Sequence, residues 1–313
     1  MNYNLINITS PHFHDKSSTR GVMLDVIIAL LPTSIAGVII FGPRALLLIG
    51  VCVVTAVLSE FLFNASLKKK STIGDLSAVV TGLLLALNLG TEVAVWQAVI
   101  GTAFAILLVK CLFGGIGKNF ANPAITARVF MLLAFQSVTS FTVPAGVDLV
   151  TSATPLVSLK AQAMENLPSL MQMFLGQHGG TIGEVCILAL IIGWIYLSVR
   201  KVIKWYVPLA YIGTVFVLFL VFTQSFTYAL FEILAGGLFL GAIFMATDYS
   251  TTPLTVSGKV LFCVFCGILT FVIRYFCSLP EGVSFSILIG NFFVPVFEKL
   301  THNVPLGGSR NGK

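Results

Sequence analysis

Charge is what this sequence has least of. Only 10% of its 313 residues are Asp, Glu, Lys or Arg, against 57% hydrophobic. Soluble domains carry about 25% charged residues, so this composition cannot clothe a water-exposed surface. The net charge of +6 does not point to a nucleic acid, because the basic residues fall between apolar runs and never gather on one polar face. No apolar core segment occurs in residues 1–20 (MNYNLINITSPHFHDKSSTR), so no cleavable signal peptide is expected. There is no G-x-G-x-x-G phosphate loop for a dinucleotide. The six cysteines (Cys52, Cys111, Cys186, Cys263, Cys266, Cys277) lie almost wholly in apolar runs. One C-x-x-C, Cys263 and Cys266, has no second pair and no nearby histidine, whereas structural zinc needs four ligands. These thiols read as small buried hydrophobes, or as partners for a cysteine on another subunit, and no metal site is expected.

What is abundant is length of apolar chain. A spanning helix needs about 20 mostly apolar residues, and ten runs qualify as candidates: 23–42, 45–67, 76–90, 93–113, 123–138, 182–199, 205–223, 227–246, 260–278 and 283–300. The third and fifth are short and punctuated by Gly, Asn or Pro, which marks them as broken or re-entrant. The expected fold is therefore an all-α polytopic membrane protein with ten transmembrane helices.

The basic residues orient those runs. With the N-terminus inside, Lys16 and Arg20, Lys68–Lys70, Lys110 and Lys118, Arg200, Lys201 and Lys204, Lys259, and the tail with Lys299, Arg310 and Lys313 all fall on one side. The other side receives Arg44 and Lys160, while Arg274 sits inside the ninth run. This positive-inside pattern predicts cytoplasmic termini. The expected organisation is a cytoplasmic segment 1–22, a first membrane half 23–138, an outer-face loop 139–181, a second membrane half 182–300 and a cytoplasmic tail 301–313. Five spans per half would make the second half an inverted copy of the first. The stretches 113–130 (FGGIGKNFANPAITARVF) and 235–253 (AGGLFLGAIFMATDYSTTP) support this. Each runs through glycines to a polar turn, where irregular backbone at membrane depth must be buried or line a cavity.

Polar groups in apolar runs carry a cost of roughly 2.5–3.5 kcal/mol per charge at the bilayer centre. Asp25 and Glu184 sit near span ends, where they reach headgroups on the simplest reading. Glu60 and Glu232 are deeper and read either as an ion path or as subunit-facing positions; a fixed cationic partner would argue for a structural role. Arg128 follows Asn122 by six residues, about 9 Å of helical rise, so the loop and the charge could serve one site. The Asn-Pro-Ala at 122–124 has no second copy, unlike the paired boxes of water channels. Asn122 is suited to cap a helix with Pro123 in its first turn.

The loop segment 148–156 (DLVTSATPL) is an ordinary turn by its composition. Taken with 114–130 (GGIGKNFANPAITARVF) and 241–248 (GAIFMATD), in that order and set in ten spans, it resembles the RnfD/NqrB family of membrane flavoprotein subunits. The resemblance covers nearly the whole chain. It implies an ion-translocating electron-transport complex of the bacterial cytoplasmic (inner) membrane, with the other membrane and peripheral subunits as partners. It also implies FMN held covalently through a phosphoester to a threonine in a D-x-x-[ST]-[GS]-A-T motif. Asp148, Thr151, Ser152, Ala153 and Thr154 match that motif, making Thr154 the acceptor and a flavin transferase a further partner. Pro155 would hold Thr154 extended. A second flavin, non-covalent riboflavin, is implied near Asn119 and Asn122; the alternative is that Asn122 is a helix cap and Asn119 a turn residue.

The short N-terminal segment favours the Rnf (ferredoxin:NAD⁺) branch over the Na⁺-translocating NADH:quinone reductase branch. On this reading the chain is one subunit of an oxidoreductase that moves Na⁺ or H⁺, passing electrons through FMN, with no catalytic residues of its own. The rival class is a solute transporter or channel of inverted-repeat build.

Overall fold

A hydrocarbon environment offers no partner for backbone N–H and C=O groups, so an apolar chain must satisfy them within its own helices. The computed structural model describes residues 18–69, 72–135, 155–160, 167–277 and 281–301, and among these there are helices and no strands. The first half of the chain holds α1 (Thr19–Phe41), α2 (Pro43–Ser66), α3 (Ser77–Leu87), α4 (Val95–Phe104) and α5 (Pro123–Ala134). Two short helices follow, α6 (Pro155–Lys160) and α7 (Leu170–Leu175). The second half holds α8 (Ile187–Val199), α9 (Tyr206–Thr223), α10 (Phe226–Leu234), α11 (Leu238–Leu240), α12 (Val256–Phe276) and α13 (Val283–Leu300). Two helices continue as π-helical turns, α4 over Ala105–Cys111 and α11 over Gly241–Met245.

Capping follows local chemistry. Ser18 accepts the N–H of Gly21 at 3.1 Å to open α1, and Thr255 accepts that of Gly258 at 3.0 Å to open α12. Gly42, at φ 77°, turns the chain between α1 and α2, where Pro43 starts the next helix.

Each of the ten apolar runs contains helix. Among the described residues, α1, α2, α9, α12 and α13 are long and apolar enough to cross a membrane, and α10 with α11 and its π turns would make a sixth if taken as one span bent by 65°. The expected 227–246 helix is broken because Ala235–Gly237 intervenes, with Gly236 at φ 71°. The expected 182–199 helix starts only at Ile187, because the N–H groups of Ile182 and Gly183 bond the Leu89 and Leu87 carbonyls at the end of α3. The fifth run, expected to reach 138, leaves its helix at Ala134; residues 136–138 are outside the described residues.

The packing groups α2 with α3 and α4, and α9 with α10 and α12. Across the halves, α1 lies on α8 and α5 on α13. Close approach depends on small residues, as is usual between membrane helices. A Cβ at Gly193 of α8 would stand 2.4 Å from the Ala29 carbonyl oxygen of α1. Tyr211 joins α9 to α12 and α13, its hydroxyl lying 2.7 Å from both Thr270 Oγ1 and Ser286 Oγ. Outward-facing side chains are themselves apolar (Ile35, Ile39, Leu46, Leu62, Val221, Phe276), the surface that lipid requires.

Candidate functional site

The loop after the first π-helical stretch ends at Asn122, whose side-chain oxygen accepts the N–H groups of Ala124 and Ile125 at 3.0 and 3.3 Å. This is the cap expected from the sequence. Its own backbone N–H donates to Asn291 Oδ1 of α13 at 3.0 Å, and Asn291 Nδ2 donates to the Thr251 carbonyl at 2.9 Å. The loop after the second π-helical stretch therefore meets the first. Asp248 of that loop accepts the Ser250 and Thr251 hydroxyls at 2.8 and 3.0 Å, and Asn122 Nδ2 stands 3.5 Å from its carboxylate.

Of these groups Asn122, Asp248 and Ser250 line a cavity of about 80 Å³, together with polar Asn119, Ser77, Thr81 and Lys110 and apolar Val26, Val80, Leu84 and Phe244. It shares Met23, Ile116, Val202 and Asp248 with an open vestibule of about 870 Å³ that also takes in Arg200 and Lys201. Tyr249 stands at both; burial pushes its phenol above the usual range, so it is a neutral donor. Asn119 Oδ1 is buried with no partner among the described residues. A buried acceptor without a partner fits a ligand that offers an N–H or O–H, and a ring larger than this cavity would extend into the adjoining vestibule.

The deep acids have fixed partners. Glu60 receives Lys110 Nζ at 2.7 Å and the Thr72 hydroxyl at 2.5 Å, and Lys110 also donates to Ser77 Oγ at 2.6 Å. Glu232 pairs with Arg274 at 3.3 Å, and Arg274 donates as well to the Glu232 and Ala235 carbonyls. Asp25 does not simply reach for headgroups: it holds Arg200 at 3.2 and 3.3 Å and accepts the Tyr196 hydroxyl at 2.9 Å. Nor does Glu184, which is buried.

Arg128 and Asn122 are not brought to one site. Arg128 is 1% exposed and pairs with Glu281 at 3.2 Å, two turns along α5 from the Asn122 cluster. Asp148, Thr151, Ser152, Ala153 and Thr154 lie outside the described residues. Immediately after them, α6 packs on α10 beside a cavity of about 300 Å³ lined by Leu156, Lys160, Tyr228, Arg274 and Tyr275. Arg274 Nε is buried there without a partner. The Tyr228 and Tyr275 rings fit a flavin ring, while the Arg274 guanidinium is held by Glu232, which lines the same cavity. Cys263 and Cys266 are buried free thiols on α12, and the described residues hold no cluster of three metal-ligating side chains.

Sequence reasoning did not single out Lys110, Asp248, Asn291 or Glu281 as site residues. Asp248 had a signal: a single acid closing an apolar run within GAIFMATD. Glu281 had none, since it stands between two runs.

A helical membrane protein whose two broken segments meet around a polar cavity belongs to a recognisable class. Residues 6–307 match the model of the NQR2, RnfD, RnfE family, and the chain belongs to that family. Among its relatives is the D subunit of the Na⁺-translocating ferredoxin:NAD⁺ oxidoreductase complex of Acetobacterium woodii, 42% identical over 95% of this chain and 94% of that protein. The D subunit of the proton-translocating ferredoxin:NAD⁺ oxidoreductase complex of Clostridium ljungdahlii is 38% identical over 96% of each chain. The D subunit of the ion-translocating oxidoreductase complex of Stutzerimonas stutzeri is 34% identical over 95% of each.

Proposed function

We propose that this chain is the D-type membrane subunit of an ion-translocating ferredoxin:NAD⁺ oxidoreductase complex, working with the other subunits of that complex. The observation that carries this reading is near full-length similarity to D-type subunits named for that activity, at 38–42% identity over 95–96% of the chain. Those relatives differ in the ion they are named for, so the class of cargo is a monovalent cation, Na⁺ or H⁺. The basic residues of the loops support cytoplasmic termini, and kinship with bacterial ion-translocating complexes supports placement in the inner membrane.

Ten crossings in an inverted 5+5 repeat extend the same reading. Its support is the order of contacts: α2 packs on α3 and α4 as α9 packs on α10 and α12, and the cross-half pairs α1–α8 and α5–α13 join counterparts. The start of α5 is bonded by Asn291 of α13, and the residues before α13 are bonded by Arg128 of α5. The antiparallel run of these two helices supports the inverted arrangement.

FMN at Thr154 is the cofactor this reading requires. When bound, a flavin supplies one-electron transfer between neighbouring centres. The chain would tether it through the Thr154 hydroxyl, with Asp148, Ser152 and Ala153 forming the sequence that a flavin transferase reads. Tyr228 and Tyr275 would orient it beside α6. Riboflavin in the Asn119–Asn122 cavity is the second cofactor, held by Asn119 Oδ1 and screened from water by Val80, Leu84 and Phe244. Glu60 and Glu232 would then serve as structural ion-pair anchors, given their one-to-one cations.

The test is mass spectrometry of the purified chain. The peptide containing Thr154 is expected to carry FMN less one water, and Thr154→Val to lose ultraviolet fluorescence of the denatured gel band while still inserting. A fluorescent Thr154→Val band overturns the attachment site. A wild-type band with no covalent flavin overturns the cofactor and favours the transporter class.

A further inference from the structure

Residues 178–185 (HGGTIGEV) are irregular yet buried throughout, and such a segment must be stabilised by its own polar contacts. Ile182 and Gly183 donate to the end of α3. Glu184 folds back, its Oε1 accepting the Thr181 N–H at 3.1 Å. Its other oxygen faces Gly237, where a Cβ would stand 3.3 Å from Glu184 Oε2 and 3.4 Å from Glu281 Oε1. Carboxylates from two distant segments thus converge on one glycine, the residue that leaves room between them.

The charges here do not cancel. Glu60 has Lys110 and Glu232 has Arg274, one cation to each acid. Among the described residues, Glu184 and Glu281, the latter 16% exposed, face one guanidinium, Arg128, which donates to Glu281 Oε2 at 3.2 Å. A cluster with one surplus negative charge, buried at Glu184, Thr181 and Arg128 and half-buried at Glu281, is costly unless a cation joins it. Polar atoms of the cluster are also incompletely bonded. Thr181, 1% exposed, directs its hydroxyl at the Glu184 carboxylate and has no other partner among the described residues. Arg128 Nε and Nη1 are buried without a partner among the described residues; as donors they hold the counter-charge in place and supply no ligand to a cation. Carboxylate and hydroxyl oxygens are the hard donors that hold alkali cations or protons.

We infer that Glu184, Glu281 and Thr181, with Arg128 as a fixed counter-charge, form a binding site for one monovalent cation, a proton or Na⁺, at the end of the α5–α13 pair remote from Asn122. Arg128 keeps the site to one cation, because with both carboxylates neutralised its own charge would be the one left unbalanced. Use of the site in translocation rests on the function proposed above; occupancy does not.

Occupancy is tested on the purified full-length chain by infrared difference spectroscopy, comparing NaCl with choline chloride at fixed pH. A protonated-carboxyl band lost on adding NaCl identifies a Na⁺ site, and one lost only on raising pH identifies a proton site. Either band is expected to disappear in Glu184→Gln and in Glu281→Gln. Thr181→Val, which keeps both charges, is expected to shift the NaCl or pH midpoint at least tenfold in cation concentration, and serves if the Gln variants do not fold. Spectra and midpoints unchanged in all three variants overturn the site.

Translocation is tested in vesicles carrying the assembled complex. Ion uptake driven by ferredoxin oxidation is expected to fall at least tenfold in Glu184→Gln. Unchanged uptake there overturns the site's role in transport. Absence of uptake by the wild-type complex overturns the proposed function while leaving the infrared result standing.

Discussion

Replacing Lys110 with methionine isolates the energetics of the deepest ion pair. The Lys110 and Glu60 side chains are 2% and 3% exposed and 2.7 Å apart. At an effective dielectric near 20, unit charges at that distance attract by roughly 6 kcal/mol. Taking both out of water costs several kcal/mol per ion, so the intact pair is worth little net. Methionine fills similar space, removes the attraction and leaves Glu60 desolvated beside the Thr72 hydroxyl alone. The expected loss is about 3–5 kcal/mol, read as a thermal midpoint roughly 5–15 °C lower for the purified chain in detergent. The double variant Glu60→Gln/Lys110→Met carries no buried charge and is expected to recover at least half of that loss. A Lys110→Met midpoint within 1 °C of the parent, or a double variant no more stable than the single one, would refute the reasoning.

Three further outcomes are expected. Lys160→Cys, made with Cys277→Ser because Cys277 is exposed, should react with an impermeant maleimide from the outer face; reaction only after permeabilisation would reverse the topology. Gly193→Val places side-chain atoms against the Ala29 carbonyl, where a Cβ has 2.4 Å; overpacking of this kind costs about 1–3 kcal/mol or more, so the yield of monodisperse protein should collapse, and a wild-type elution profile counts against the α1–α8 contact. Tyr211→Phe should cost only about 1 kcal/mol, since Thr270 and Ser286 remain 2.7 Å from each other; a loss above 3 kcal/mol would mean the phenol holds something more.

The apolar runs were legible because lipid enforces them residue by residue, and all ten contain helix. Their interruptions were legible as glycines and prolines, yet where each helix stops depends on bonds formed at a distance. Ile182 and Gly183 read as the start of a helix until the open carbonyls of Leu87 and Leu89 claim their N–H groups. Lys110 shows the same limit. It counted as a loop cation for orientation, although the π-helical extension carries it inward to Glu60. Asn122 was legible as a cap because capping is local. The grouping of Arg128, Glu184 and Glu281 was not, since three segments separated by 56 and 97 residues leave no periodic trace.

The π-helical turns have a consequence for chain length. In an i→i+5 turn the helix carries a residue beyond what α-geometry needs between the same two ends. Removing one residue elsewhere, in α9 for example, turns everything downstream by about 100° and would take Tyr211 or Phe219 out of the core. Removing one from Ala105–Cys111 or from Gly241–Met245 lets the helix rewind to α while the flanking residues keep their places. The two stretches bordering the polar loops are thus where this otherwise rigid chain can lose a residue, and where an extra one would first have been accommodated.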